Sequence, residues 1–233
     1  MPFTVSHIAA VLPITRPLAR WRVLSATIIG SMTPDFGLLL PWRPTRVETH
    51  GAMALLTFCL PVGLATFWIY QQLIKSAIVE ILPDAAYRRW QRHIAPADIT
   101  SVRQWALAAA GVLTGAVSHL VWDAFTHEGA RGVRMIPALD DPVLFVAGHH
   151  LDGARLLQDV SSLVGLAIVT AAVAYGLRPD RGKGIPLSRQ LRPSERWLWV
   201  AAYMIAAGAL ALVALQLRWR HMAFTPSLAI YLA

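Results

Sequence analysis

The chain has 233 residues, 56% of them hydrophobic and only 15% charged, with a mean hydropathy of +0.50. Ordinary soluble domains carry about 25% charged residues, so this composition excludes that class and predicts an integral membrane protein. The net charge of +8 does not point to nucleic acid, because the basic residues lie between long apolar runs rather than on one binding module.

The sole cysteine, Cys59, lies inside an apolar run, which leaves no disulfide framework and no thiolate zinc knot. Any bound metal must therefore use His, Asp or Glu. The opening MPFTVSH lacks a basic leader, a long apolar core and a cleavage site, so it reads as part of the mature protein rather than as a removable signal.

Taken in chain order, the first apolar stretch is Thr4 to Thr15, a predicted helix of about 12 residues and roughly 18 Å, too short for a ~30 Å hydrocarbon core. It reads as a half-helix that dips in and turns at Pro17. Val23 to Leu40 is apolar except for Ser31-Met32-Thr33-Pro34-Asp35, where the proline frees a backbone carbonyl four residues earlier. Broken backbone at membrane depth is tolerated where it lines a protein-enclosed or wet cavity, which puts Asp35 at such a place.

Four runs then approach the roughly 20 residues that a spanning helix needs: Ala52 to Ile74, Trp105 to Trp122, Leu156 to Leu177 and Trp197 to Leu217. The predicted architecture is an all-α, multi-pass transmembrane helical bundle of five to six segments, counting the half-helix, in one domain over residues 1–233. Its one linker-like stretch is Arg178 to Pro193.

Alternating these segments puts fourteen basic residues on one side (Arg16, Arg20, Arg22, Lys75, Arg88, Arg89, Arg92, Arg103, Arg178, Arg181, Lys183, Arg189, Arg192 and Arg196). Seven fall on the other (Arg43, Arg46, Arg131, Arg134, Arg155, Arg218 and Arg220). The positive-inside rule makes the first side cytoplasmic and predicts that both termini face outward. The Pro83 to Thr100 loop, which also carries His93, supplies much of the bias and reads equally as an amphipathic helix on the anionic leaflet.

Polar residues gather on the outer side. His7 opens the half-helix, Asp35 ends the second segment, His50 precedes the third, and SHLVWDAFTH (Ser118 to His127) ends the fourth. Ionisable groups in a membrane segment cost about 2.5–3.5 kcal/mol each on insertion scales, so they mark candidate sites. Residues four apart on a helix differ by about 40° and 6 Å, so His119 and Asp123 are able to grip one ion from one face.

His127 lies another turn on, about 12 Å from His119 along the axis, and joins only if the helix ends first. Gly129 and Gly132 predict such an ending; otherwise His127 serves a second ion or a substrate phosphate. Glu128 is a candidate general base by sequence proximity alone.

Plainer readings stand beside these. His119 and Asp123 also fit a pair that simply bond each other, or Asp123 a cap on the following loop; His7 and His50 fit a satisfied buried and a boundary histidine; Ser118 and Thr126 fit packing hydroxyls. His149-His150, near Asp140, Asp141 and Asp152, reads as a surface-loop pair of which at most one ring joins a given ion. Gln158, Asp159, Ser161 and Ser162 form an unusually polar helix start, suited to hydrogen bonds that orient ligating histidines. No phosphate-cradling Gly loop and no GxSxG occurs, so a serine nucleophile has no local support. A cysteine-free His/Asp set suits zinc best, with manganese or another divalent ion also served.

MPFTVSH, GSMTPDF (Gly30 to Phe36), Thr49-His50, SHLVWDAFTH and QDVSSLVG (Gln158 to Gly165) together resemble the bacterial membrane family called domain of unknown function 4184, over nearly the whole chain. More distantly, the order His, PD, TH, SHxxxD is similar to membrane-bound metal-dependent hydrolases of the inner membrane. That resemblance implies His7, Asp35, His50, His119 and Asp123 as metal ligands and a bacterial cytoplasmic-membrane location. The HxxxD helix also looks like zinc-dependent phospholipase C. The chain departs from the hydrolase-like pattern in lacking the further Asp-x-Asp-His acids after PDF, and in having Gly51 where serine commonly follows TH.

The function expected is a membrane-bound metal-dependent hydrolase with an outer-face site, acting on a lipid-linked phosphoester or ester, with His127 or Glu128 handling protons. The alternatives are an ion or proton carrier, and a scaffold whose polar cluster only holds helices together. Membrane lipids are the expected partners, with no nucleic acid.

Overall fold

Length and apolarity decide which segments become long helices. In the computed structural model, Leu55–Ile81, Val102–Thr126 and Gly153–Gly176 are long and apolar enough to cross a membrane. At 1.5 Å per residue they reach roughly 36 to 40 Å, beyond a ~30 Å core. The structure describes residues 4–14, 23–40, 44–90, 101–146, 149–178, 192, 194–205 and 208–209. The turn at Pro17, the loop position of His93, most of the Arg178 to Pro193 stretch and the end of the Trp197 to Leu217 run lie outside the described residues.

In chain order the elements are α1 (Thr4–Ile14, with 3-10 turns at both ends), α2 (Leu24–Gly30), a 3-10 helix over Thr33–Leu39, α3 (Arg46–His50) and α4 (Leu55–Ile81). They continue with α5 (Asp84–Trp90), α6 (Val102–Thr126), α7 (Arg131–Met135), strands β1 (Pro142–Val146) and β2 (His149–Asp152), and α8 (Gly153–Gly176). Residues 194–205 are helical too. The all-α membrane-type architecture expected from the sequence is therefore present.

Local chemistry sets the ends. The Ser101 side chain caps α6 by accepting from Gln104 N, and Asp152 caps α8 by accepting from Arg155 N at 2.6 Å. Thr45 and Glu48 cap α3 reciprocally. The second segment breaks where the proline was expected to break it: α2 stops at Gly30, and Pro34 enters the first turn of the 3-10 helix, where a missing N–H removes no helical bond. The run read as Ala52 to Ile74 extends to Ile81, with a π turn over Leu55–Cys59 just ahead of Pro61, whose ring cannot sit on a regular preceding turn.

The stretch read as an irregular loop after His127 contains α7 and an antiparallel hairpin pairing Phe145 with His150 and Val146 with His149. His150 is exposed and lies 4.8 Å from the Phe145 ring, centroid to centroid. Side chains such as Leu56, Trp68, Leu73, Val121 and Leu163 are exposed on the long helices, as a lipid-facing surface requires.

α2 packs on α6 around Ala26, Ile29, Phe67, Ala108 and Val112. The backbones meet: a Cβ at Gly115 would overlap the Thr27 carbonyl and the Ser31 nitrogen. On the other side of α1, a Cβ at Gly165 of α8 would stand 2.8 Å from Ser6 Cβ, so this glycine admits the turn that carries His7. Gly115→Ala is expected to push α2 off α6 and to destabilise the protein by about 1–3 kcal/mol, read as a lower midpoint of thermal unfolding in detergent. An unchanged midpoint would contradict the backbone contact.

Candidate metal centre

The close α2–α6 contact places the Ser31 carbonyl 2.8 Å from His119 Nδ1. A carbonyl only accepts, so Nδ1 carries the proton and donates it, and Nε2 is turned the other way. His50 is fixed similarly, with Nδ1 2.7 Å from the Thr49 hydroxyl. The 3-10 helix carries Asp35 into the same space, where Thr4 donates to its Oδ2 at 2.7 Å.

Five of the residues singled out in the sequence converge. His50 Nε2 is 3.4 Å from Asp35 Oδ1 and 3.5 Å from Asp123 Oδ2. His119 Nε2 is 3.6 Å from each carboxylate. His7 Nε2 is 3.7 Å from Asp123 Oδ1, and its ring stacks on that of His119 with centroids 3.7 Å apart. His7, Asp35, His119 and Asp123 are buried, and the His50 side chain is only 7% exposed.

Two overlapping groups, His7 with His119 and Asp123, and Asp35 with His50 and His119, have ligand atoms close enough to hold a metal ion. The Nε2 atoms of His7, His50 and His119 and Oδ1 of Asp123 are buried without a hydrogen-bond partner. Unpaired buried polar atoms are costly, and here they aim at one another. Their 3.4–3.7 Å spacings exceed the roughly 2.7–2.9 Å of a charge-assisted hydrogen bond. They lie near the ~3.3 Å edge of a tetrahedron with 2.0–2.1 Å metal bonds. The donor set and its spacing thus fit a divalent ion.

The family model described as Domain of unknown function (DUF4184) matches residues 1–230. The chain belongs to this family. No curated protein and no solved structure gives a match.

In this DUF4184 protein His127 also reaches the cluster, because α6 ends at Thr126 and His127 turns extended at φ −120° and ψ 131°. Its Nδ1 comes 3.2 Å from the Asp123 carbonyl oxygen and 3.6 Å from Asp123 Oδ2, with the side chain 17% exposed. Gly129, at φ +67°, adopts the left-handed conformation that carries the chain away. Glu128 does not follow: it is exposed, and no hydrogen bond or ion pair joins it to the cluster among the described residues.

At the polar start of α8 the contacts seen among the described residues are local or reach α6. Ser161 and Ser162 donate to the Gln158 carbonyl, Ser161 also accepts from Trp122, and Asp159 pairs with Arg155. Ser31 and Thr49 supply orienting contacts to His119 and His50.

Sequence reasoning missed Arg46 as a member of the site. Its Nη2 donates to Asp123 Oδ2 at 2.9 Å. The available signal was its place four residues ahead of His50 on one helix. Glu48, beside it on α3, is held below the usual carboxylate range by hydrogen bonds from the Thr45 backbone and side chain.

Proposed function

We propose that this protein is a membrane-bound metal-dependent hydrolase acting on a lipid-linked phosphoester or ester. The observation that carries this reading is the convergence of partnerless buried imidazole nitrogens on two carboxylates at ligand spacing. His7, Asp35, His50, His119 and Asp123 would be the ligands, with zinc the preferred ion for a His/Asp donor set. His119 belongs to both ligand groups but offers one free nitrogen, which favours a single ion.

A divalent ion bound there supplies Lewis acidity and acidifies water near neutral pH. The chain's own work is to hold the donors rigid through Ser31 and Thr49, and to exclude bulk water by burial. His127, at the edge of the cluster with Nε2 buried and partnerless, would move the proton to the leaving group. Glu128 is set aside for that role by its position. The basic-residue bias supports a site facing outward from a bacterial cytoplasmic membrane, with both termini on that face.

The carrier reading draws on buried Gln71, which donates to Ser25 at 2.8 Å deeper in the bundle. Against it, Thr27, Ser31, Thr33 and Thr66 all donate to carbonyls three or four residues earlier in the chain, so their protons do not form a relay between distant segments. In a pure scaffold the buried nitrogens would instead be paired.

Elemental analysis of detergent-purified protein, together with chelator-sensitive hydrolysis of bis(p-nitrophenyl) phosphate, tests the proposal. Less than about a tenth of an equivalent of metal, unchanged by His119→Ala, would remove it. Thr49→Val is expected to lower metal affinity about 10- to 100-fold by releasing the His50 ring, measured by competition with a chelator. Unaltered affinity would show that Thr49 does not orient a ligand.

A further inference from the structure

We propose that Arg46 binds a phosphate group of the substrate, which makes that substrate an anionic amphiphile rather than a neutral ester. The inference rests on the metal-hydrolase reading and deepens it. Arg46 is tied to the site by one contact, Nη2 to Asp123 Oδ2 at 2.9 Å, while its side chain stays 45% exposed. A guanidinium has five N–H donors, and no other bond of Arg46 occurs among the described residues. With the side chain this exposed, the remaining donors are open to a second partner, in a fork suited to phosphate.

The acid closest along α3 does not compete. Glu48 Oε2 accepts from Thr45 N at 2.7 Å and from Thr45 Oγ1 at 2.8 Å. Within the site, two carboxylates would balance a divalent ion, and Arg46 would leave the site with net positive charge. That sign calls for an anion.

Exposed apolar side chains on the same elements supply the second half of the inference. Leu38, Leu39, Val47 and Met53 are 61%, 75%, 79% and 70% exposed. They lie on the 3-10 helix, on α3 and on the turn after it, and these elements are locked together where Gly37 meets Thr49 and Pro44. Exposed apolar side chains on and beside the elements that carry Asp35, Arg46 and His50 match a phosphate head attached to an apolar chain.

Calorimetric titration of metal-loaded protein in detergent, with metal content measured in parallel, tests this with two probes: inorganic phosphate, and phosphatidic acid in mixed micelles. Arg46→Ala is expected to weaken both about 10- to 100-fold with the ion retained, and Arg46→Lys to recover part of the loss. Phosphatidic acid is expected to bind more tightly than inorganic phosphate, and Val47→Ser to reduce only that difference. Equal affinity for the two probes overturns the amphiphile and leaves free phosphate as the ligand. Retained metal with unchanged phosphate affinity in Arg46→Ala overturns this proposal alone. Loss of the ion in both Arg46 variants also overturns it, since Arg46 would then serve only to hold Asp123. Wild-type protein without any ion overturns the metal reading and this one together.

Discussion

Asp123→Asn is expected to leave the purified protein with less than about a tenth of an equivalent of bound divalent ion, because a neutral amide is a far weaker ligand than a carboxylate. Five side chains approach this carboxylate. His7 approaches Asp123 Oδ1, while His50, His119, His127 and Arg46 approach Oδ2. Asparagine keeps the shape and one carbonyl oxygen, so the helix remains packed and the variant should elute as a single species in detergent. Elemental analysis of that species is the measurement. A full equivalent of metal in Asp123→Asn would mean that the carboxylate serves Arg46 and the imidazoles, and the scaffold reading would gain.

The second large effect concerns turnover. His127→Ala is expected to retain the ion while lowering the rate of phosphodiester hydrolysis by about 10²- to 10⁴-fold, the usual contribution of a positioned proton-transfer group. His127 stands apart from the two ligand groups but within 3.6 Å of Asp123, so its loss removes none of the proposed ligands. A parallel Glu128→Ala variant should keep its rate, since that side chain is exposed and unconnected to the cluster. Metal loss in His127→Ala would make it a ligand, and full activity would remove it from the mechanism.

Conserving shape while changing charge separates these outcomes from simple misfolding. The candidate centre is assembled from α1, the 3-10 helix, α3 and α6; α6 meets the backbone of α2 at Gly115, and α8 meets that of α1 at Gly165. A bulky substitution at such a contact would disturb His119 or His7 without touching the chemistry. Asparagine at position 123 and alanine at position 127 avoid that.

Much of the fold was legible because its signals are local. Uninterrupted apolar length marks the three long helices, Pro34 marks the break in the second segment, and the four-residue spacing of His119 and Asp123 needs only the helical repeat. Even His127 followed from Gly129, once the helix was allowed to stop. The hairpin over Pro142–Val146 and His149–Asp152 was not legible, since strands this short leave little periodicity to read. The π turns in Leu55–Ile81 and the extension to Ile81 were hidden for a similar reason: an apolar run does not mark its own register.

By itself the sequence determined that this is a membrane-type helical protein of the DUF4184 family, with costly His and Asp residues at the ends of its apolar segments. Composition and spacing are properties of the chain alone, so no partner element was needed to read them. Only the tertiary structure decided which of those residues meet. Asp123 and Arg46 are 77 positions apart, and His119 and Ser31 are 88 apart, and nothing local encodes either pairing. Contacts of that range follow from backbone approach, here the glycine-paved meeting of α2 and α6, which sets the position of every side chain carried on the two helices.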